Sequence, residues 1–242
     1  MRVVSCVPSI SELVEELLPG CLVGRTRFCI APKSLTGIPR IGGTKDLNVN
    51  SIISLKPDLV LSVKEENEKD QIEFLIESGL RVLVFDIVNL QDAIGMVRNC
   101  GTLLGNPKRA EEIALGMDAI RDPNKKSKGS VLYLIWQNPW MCAGPDTFIG
   151  SILQESGFEV LSTEGGRYPE LKDIDEIRSL APDYVFLSSE PFPFRQKQYD
   201  FFCNNLPDSK VFLVDGTLFS WYGSRTAKLP AYFAKLSLSP QN

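Results

Sequence analysis

The chain has 242 residues, enough for one large domain or for two modest domains that each bury a core. A net charge of −4 argues against nucleic acid as the main partner. The absence of histidine excludes histidine-based catalytic triads, histidine-based zinc sites and ligation of haem by histidine. No apolar run approaches the ~20 residues that membrane insertion requires.

The first half of the chain alternates between strand-like apolar runs and helical periodicity. Ser9 is predicted to cap the first helix, with Glu12 as its capping-box partner. Residues 25–45 are rich in glycine and proline and lack periodicity, which predicts a long and functional loop. We predict strands at 2–7, 21–24, 59–62 and 82–86, and helices at 9–18, 50–55, 66–78 and 90–104. Cys6 and Cys100 lie in apolar runs and are predicted to be small core residues.

A helix with one apolar stripe is predicted near the middle of the chain. Asn106 is suited to cap it, Pro107 fits its first position, and residues 122–124 would end it. Residues 125–129 then form a polar connection. We therefore predict an N-terminal lobe over 1–105, a bridging helix and linker over 106–128, and a C-terminal lobe over 129–242.

The second half repeats the alternation, with strands predicted at 131–136, 158–160, 184–188 and 211–215. The predicted helices are 147–156, 173–180, 196–205 and 224–236. Each half also contains a Pro-Asp turn between a helix and a buried strand, at Pro57-Asp58 and at Pro182-Asp183. The sequence thus predicts an α/β protein in which two Rossmann-like lobes with parallel sheets are joined by a single helix, with a ligand cleft between the lobes.

Aromatic residues are concentrated in the loops that follow the predicted strands of the second half. All three tryptophans, Trp136, Trp140 and Trp221, lie in such loops. Ring-bearing side chains at loop tips favour a broad, apolar binding surface. The alternative is that they pack the two lobes together.

The segment 55–60 with its Pro-Asp turn, the upstream Gly42-Gly43-Thr44, the two halves and the bridging helix resemble the class III substrate-binding proteins of ABC transporters. These proteins capture vitamin B12, iron siderophores or haem. The regions 136–144 and 215–222 are most similar to the vitamin B12-binding branch. The resemblance implies a non-enzymatic protein that holds a corrinoid such as cobalamin as its ligand and needs no metal or cofactor of its own.

The resemblance also implies which residues contact the ligand. The implied ligand-binding residues are Phe28, Glu65, Trp136, Trp140, Tyr168, Phe192, Phe219, Trp221, Tyr222 and Arg225. Siderophores or haem would favour arginines, for which Arg25, Arg27, Arg167 and Arg225 are the candidates. A chelatase-like or cofactor-processing enzyme would need an acid or base among Glu65, Glu66, Glu190 and Asp215. A third alternative is an adaptor that binds a protein.

The family acts with a permease, which it contacts through an acidic residue on each lobe. The candidates are Glu66 and Glu68 on the first lobe and Asp173 and Asp175 on the second. The resemblance implies a periplasmic monomer. Because residues 1–7 are too short for a signal peptide, the sequence leaves open a cytoplasmic location or a leader that was removed.

Overall fold

The computed structural model describes residues 1–121 and 127–236, in which strands and helices alternate. The chain divides into two compact units. The N-terminal unit comprises Met1–Ile87, Gln91–Leu115 and Trp221–Ser224, and the C-terminal unit comprises Val88–Leu90 and the described residues of Gly116–Ser220 and Arg225–Asn242. The domain boundaries expected from the sequence stay a prediction.

The sheet of the N-terminal unit is entirely parallel, as predicted. Its strands are β1 (Val3–Ser5), β2 (Leu22–Arg25), β3 (Leu59–Val63) and β4 (Val82–Phe85), in the order β2-β1-β3-β4. Every residue of the two central strands, β1 and β3, is buried. The helices in this half of the chain are α1 (Pro8–Leu17), α2 (Val49–Ser54), α3 (Lys69–Glu77), α4 (Leu90–Leu103) and α5 (Pro107–Asp118).

The sheet of the C-terminal unit has a parallel centre. Its strands are β5 (Gly129–Trp136), β6 (Trp140–Cys142), β7 (Phe158–Val160), β8 (Glu170–Leu171), β9 (Tyr184–Ser188) and β10 (Lys210–Val214). The order is β10-β9-β5-β6-β8, and β7 also pairs with β5. The helices are α6 (Phe148–Glu155), α7 (Ile174–Ser179), α8 (Gln196–Asn205), α9 (Thr217–Ser220) and α10 (Leu229–Lys235).

One edge of this second sheet departs from the prediction of parallel strands. Strand β6 runs antiparallel to β5, and β8 runs antiparallel to β6. The connection from β5 to β6 is only residues 137–139, and Asn138 adopts a positive φ of 63° there. So short a turn can join only antiparallel neighbours, because a parallel pair needs a long crossover.

Two predicted helix starts have different outcomes. The side-chain oxygen Oδ1 of Asn106 accepts a hydrogen bond from the Arg109 N–H at 3.3 Å, which confirms the predicted cap of α5. The predicted capping box at Ser9 is wrong. Helix α1 begins at Pro8, with Val7 as its N-cap and no side-chain cap, because proline is favoured in the first turn. The predicted stop at 122–124 and most of the polar connection lie outside the described residues.

The Pro-Asp turns have the same geometry in both units. Lys56 and Ala181, the residues before the prolines, both have φ of 46°. The carboxylate oxygen Oδ2 of Asp58 accepts a hydrogen bond from the Arg2 N–H at 2.7 Å, just before β1. The corresponding oxygen of Asp183 accepts one from the Ser130 N–H in β5, also at 2.7 Å. The correspondence predicted from sequence thus extends to individual hydrogen bonds.

Candidate ligand-binding site

Three loops of the C-terminal unit meet at the carboxyl ends of its parallel strands. Strands β5, β9 and β10 are parallel neighbours, so their carboxyl ends lie side by side. Trp136 ends β5, Glu190 follows β9, and Ser220 ends the short helix α9 that follows β10. Ligands of open α/β sheets bind beyond the carboxyl ends of the strands, so a ligand site is expected at these three loops.

A cavity of about 370 Å³ lies at the carboxyl ends of these strands. Its lining includes Ser220 and six larger side chains: Ile135, Trp136, Met141, Ile149, Tyr168 and Pro191. We call it the apolar pocket. Small-molecule sites have this character, mainly hydrophobic and aromatic with a few polar groups.

Trp136 and Tyr168 are the two predicted ligand residues that line the apolar pocket. The Trp136 side chain is 40% exposed, and its ring centroid lies 5.8 Å from that of Phe192 in an edge-to-face contact. The Tyr168 ring lies 5.8 Å beneath the guanidinium carbon of Arg167, whose Nε donates to the Asp146 carbonyl at 3.0 Å. Neighbouring contacts therefore support both rings.

Trp140 has a different environment. Its ring stacks on Phe194 with centroids 6.3 Å apart and meets Phe202 of α8 edge-on at 5.0 Å. It is half-buried against the hydrophobic cluster between the sheet and α8. Trp140 belongs to this packing and is not among the residues lining the apolar pocket.

Phe219, predicted to face the ligand, is instead a core residue. Its exposure is 0%, and its ring lies 5.2 Å from that of Tyr133 and 5.7 Å from that of Phe233. The helical turn of α9 directs Phe219 inward, while its neighbour Ser220 lines the pocket. The sequence analysis treated these residues as part of a loop. It could not separate the buried Phe219 from the pocket-lining Ser220, because a helix of four residues is too short to show a periodic pattern.

A hydrogen-bonded chain leads from the core to the pocket. The Tyr133 hydroxyl donates to Ser188 Oγ at 3.1 Å, and Ser188 Oγ donates to the Glu190 carbonyl at 2.5 Å. The Ser220 hydroxyl donates to Glu190 Oε1 at 2.5 Å. Burial raises the pKa of Tyr133 well above its ordinary value, so this phenol stays protonated and remains a donor.

Arg225 lies in the same unit and braces α9. Its Nη1 donates to Thr217 Oγ1 at 2.9 Å, and that hydroxyl donates to Asp215 Oδ1 at 2.7 Å. Asp215, considered above as a catalytic acid or base, also accepts a hydrogen bond from the Thr217 N–H at 3.1 Å. Both charged groups thus hold the first turn of α9.

In the N-terminal unit, Phe28 is presented at the surface and is 50% exposed. The Arg27 guanidinium carbon lies 5.3 Å from the Phe28 ring centroid, and Arg27 also pairs with Asp46 at 2.7 Å. A Cβ at Gly43 would come within 2.7 Å of the Arg27 guanidinium and 3.1 Å of the Phe28 ring. Glycine at this position therefore allows the ring and the ion pair to lie directly on the backbone.

Arg25 is not available to a ligand, in contrast to the interpretation that it could bind an anion. It is 2% exposed. Its guanidinium donates to the carbonyls of Leu35 at 2.5 Å, Cys29 at 2.7 Å and Thr36 at 3.1 Å. Arg25 therefore holds together the segment that the sequence presents as an aperiodic loop.

Asn67 links the loop after β3 to the end of β1 and to residue 44. Its buried side chain donates to the carbonyls of Cys6 at 3.1 Å and Thr44 at 2.9 Å and accepts from the Val63 N–H at 3.0 Å. Glu65, predicted to bind ligand, is half-buried in the same loop, and its carbonyl accepts from Lys45 Nζ at 2.9 Å.

Trp221 and Tyr222 pack in the N-terminal unit although they follow β10 in sequence. Tyr222 is buried and Trp221 is half-buried. The Ser224 hydroxyl, two residues further on, donates to Glu16 of α1.

The four predicted permease-contact residues all lie on the protein surface or near it. Asp173 caps α7 by accepting from the N–H groups of Asp175 and Glu176, and Asp175 pairs with Arg178. Glu68 pairs with Lys45 at 3.3 Å, and Glu66 is half-buried.

Sequence reasoning missed several residues of the apolar pocket and its support. Ile135, Met141, Ile149, Pro191 and Ser220 line it, and Tyr133 and Ser188 hold the Glu190 loop behind it. Most are aliphatic or small, and nothing in their types separates them from core residues. For Pro191 and Ser220, the signal was their position in the loops that follow two predicted strands.

Comparison with known proteins identifies the class. The periplasmic binding protein family model matches residues 3–207. The chain therefore belongs to the periplasmic binding protein family.

Two curated relatives can be named. An uncharacterized ABC transporter substrate-binding lipoprotein, YvrC, of Bacillus subtilis is 27% identical over 197 residues, covering 76% of this chain and 62% of that protein. The vitamin B12-binding protein of Salmonella typhi is 24% identical over 165 residues, covering 65% and 61%. The chain thus spans about six tenths of the length of these relatives.

Solved structures share the fold over nearly the whole chain. The periplasmic vitamin B12-binding protein BtuF of Vibrio cholerae superposes with a TM-score of 0.81 at 15% identity, covering 97% of this chain and 95% of that one. A periplasmic haem-binding protein from Pseudomonas aeruginosa gives 0.77 at 22% identity, covering 100% and 95%. Within residues 1–121 and 127–236, no helix has the length and hydrophobicity needed to cross a bilayer.

Proposed function

We propose that this protein binds a corrinoid of the cobalamin type and that the apolar pocket holds one edge of the ligand. The observation that carries the proposal is the pocket itself, an aromatic and aliphatic cavity at the carboxyl ends of β5, β9 and β10. Its volume of about 370 Å³ is at the lower end of the range for small-molecule sites, roughly 300–1,000 Å³. The pocket would therefore receive part of so large a ligand.

The chemistry of the lining supports this ligand class. A corrin is broad and largely apolar on its faces, and the Trp136 and Tyr168 rings offer surfaces of the same kind. The family relatives include a vitamin B12-binding protein. The function we propose is capture without catalysis, in a monomer that needs no cofactor of its own.

Delivery to an ABC permease is the second part of the proposal. One relative is described as an ABC transporter substrate-binding lipoprotein. The carboxylates of Glu66, Glu68, Asp173 and Asp175 are the groups we propose for permease contact. A permease that still couples to a variant with all four carboxylates neutralised would contradict this part alone.

Haem is the alternative ligand that a specific contact favours. Tyr168 lines the pocket and lies under Arg167. A tyrosine beside an arginine could serve an iron and an anionic periphery together. Haem binding that is abolished by Tyr168→Phe would support this alternative over a corrinoid.

Titration with cyanocobalamin, followed by absorbance or calorimetry, tests the main proposal. We expect saturable binding, and we expect Trp136→Ala to weaken it roughly tenfold to a hundredfold, since a central aromatic anchor is removed. Phe74→Ala is the matched control, because Phe74 is exposed on α3 of the other unit. No cyanocobalamin binding at tens of micromolar protein would contradict the proposal.

A further inference from the structure

The segment that the sequence presents as an aperiodic loop concentrates positive charge. Residues 17–45 contain five lysine and arginine residues and no aspartate or glutamate, although the whole chain has a net charge of −4. Three of these cations, Arg27, Lys33 and Arg40, lie within residues 26–40, which we call the basic loop. An acidic protein that segregates its cations in this way has one region suited to an anionic surface.

The basic loop is closed at its base and bonded internally. It leaves and returns at Arg25, whose N–H donates to the Pro39 carbonyl at 3.0 Å and whose carbonyl accepts from the Ile41 N–H at 2.9 Å. Inside the loop, the buried guanidinium of Arg25 donates to the carbonyls of Cys29 at 2.7 Å and Leu35 at 2.5 Å. One guanidinium thus holds both ends of the segment between these two carbonyls. The side chains of that segment are therefore displayed on a fixed backbone, which lowers the entropy cost of binding.

Ile30 lies in this segment and protrudes into solvent. Its exposed fraction is 77%, the largest among the large hydrophobic residues that the structure describes, and the nearby Phe28 is 50% exposed. A single exposed aliphatic side chain is ordinary on a protein surface. The charge around Ile30 is what distinguishes it.

Two cations of the basic loop are available to an external anion. Lys33, three residues after Ile30, is exposed, and so is Arg40, whose backbone forms a bridge with Arg25 at the base of the loop. Arg27 is held in an exposed ion pair. Within the part of the chain that the structure describes, Lys33 and Arg40 form no ion pair of this kind. An aliphatic side chain and two uncompensated cations therefore lie on one small loop.

We propose that the basic loop docks on an anionic phospholipid surface, with Ile30 in the headgroup region and with Lys33 and Arg40 against the phosphates. Apolar side chains partition into a bilayer interface, and cations near an anionic leaflet add an attraction that salt screens. A protruding side chain suits a fluid interface, which needs no complementary groove. The net charge of −4 opposes approach by acidic regions and so favours contact through the basic loop. This docking is separate from ligand capture and does not depend on it.

Sedimentation with lipid vesicles tests the proposal. One preparation is pure phosphatidylcholine, and the other contains phosphatidylcholine and phosphatidylglycerol in equal amounts. At millimolar lipid and low salt, we expect the native protein to bind the anionic vesicles at least roughly fivefold more strongly than the neutral ones, because each cation near the surface contributes about that factor. High salt should abolish the difference.

Variants of the basic loop assign the binding to it. Lys33→Glu combined with Arg40→Glu should weaken binding to anionic vesicles roughly twentyfold or more, since two favourable charges are reversed. Ile30→Ser should weaken it roughly fivefold, because the apolar contact is lost. Circular dichroism checks that each variant is folded.

Matched controls change other surfaces by the same chemistry. Lys108→Glu combined with Lys197→Glu reverses two exposed lysines and gives the same net charge as the double variant of the loop. Leu115→Ser removes an aliphatic side chain that is 58% exposed on α5. We expect both controls to bind anionic vesicles within about threefold of the native protein, because neither changes the loop.

The outcomes separate membrane docking from its alternatives. Absence of vesicle binding, or equal binding to neutral and anionic vesicles, would overturn the proposal, and so would equal losses in the loop variants and the controls. Binding to immobilised polyglutamate without binding to vesicles would overturn it in favour of an acidic protein partner. Cyanocobalamin titration of the loop variants should match the native protein, because no residue proposed for the ligand is changed. Failure of the proposed function is therefore detected separately.

Discussion

The two units share a scaffold, but the loops at the carboxyl ends of their strands are held in different ways. In the N-terminal unit, Arg25 and Asn67 bond to backbone carbonyls and tie the loops together. In the C-terminal unit the corresponding edge is built from rings, with Trp136 against Phe192, and it contains the apolar pocket. The Pro-Asp turns thus position the strands in both units, whereas the loop residues decide which set of carboxyl ends can hold an apolar ligand.

The largest effect we expect separates core rings from pocket rings in the C-terminal unit. Phe219→Ala should lower the free energy of unfolding by about 3–5 kcal/mol, because it leaves a cavity among Tyr133, Phe186 and Phe233. Urea unfolding followed by circular dichroism measures this. Phe201→Ala is the control, since Phe201 is partly exposed on α8, and its cost should be clearly smaller. Equal costs for the two variants would show that Phe219 does not belong to the core.

The next effect tests the polar ties of the N-terminal unit. Arg25→Met should lower the free energy of unfolding by roughly 2–4 kcal/mol, because several carbonyls lose their donor inside the protein. Arg27→Met is matched in size and adjacent in sequence. Arg27 forms an exposed ion pair with Asp46, and its loss should cost less than about 1 kcal/mol. Equal free energies of unfolding for the two variants would contradict the structural role assigned to the buried Arg25.

The smallest effect concerns the thiols of the two units. Burial raises the pKa of Cys6 and Cys100 from 9.0 to about 12, whereas Cys203 in the C-terminal unit is only half-buried. With a thiol reagent at about pH 8, Cys203 should react first, and the other two should react only as the protein unfolds. Mass spectrometry of the labelled peptides identifies the order, and early labelling of Cys6 would contradict it.

The same shifts give a pH dependence with a defined sign. Between pH 9.0 and about 12 the unfolded chain releases these thiol protons while the native protein keeps them. The native state therefore binds more protons, and its stability should fall as pH rises through this window. Replacing Cys6 with alanine should make the fall shallower.

Much of the fold could be predicted from local patterns. The strands ending near Ser5, Ser188 and Val214, the cap at Asn106 and the helix 90–103 all follow from runs, caps and periodicity that a few neighbouring residues define. The failures have local causes too. A proline overrode the Ser9 cap, and a three-residue turn made β6 antiparallel.

The candidate site was only partly predictable. Trp136 and Tyr168 are large rings in loops after strands, and that pattern singled them out. Phe219 shares the pattern and is buried, because the side to which a short helix turns depends on what lies behind it. Arg25 was misread for the same reason, since burial of its guanidinium depends on carbonyls ten residues away.

The alternation of strands and helices, the paired Pro-Asp turns and the absence of histidine chemistry all follow from residue types and short spacings, so they could be predicted without a structure. The contact between Ser220 and Glu190, and the shared cavity lined by Trp136, Met141 and Tyr168, depend on how the folded elements pack. Trp136, Tyr168, Glu190 and Ser220 are far apart in the chain. Parallel pairing of β5, β9 and β10 brings the loops of Trp136, Glu190 and Ser220 together, and antiparallel pairing of β6 with β5 and β8 adds Met141 and Tyr168.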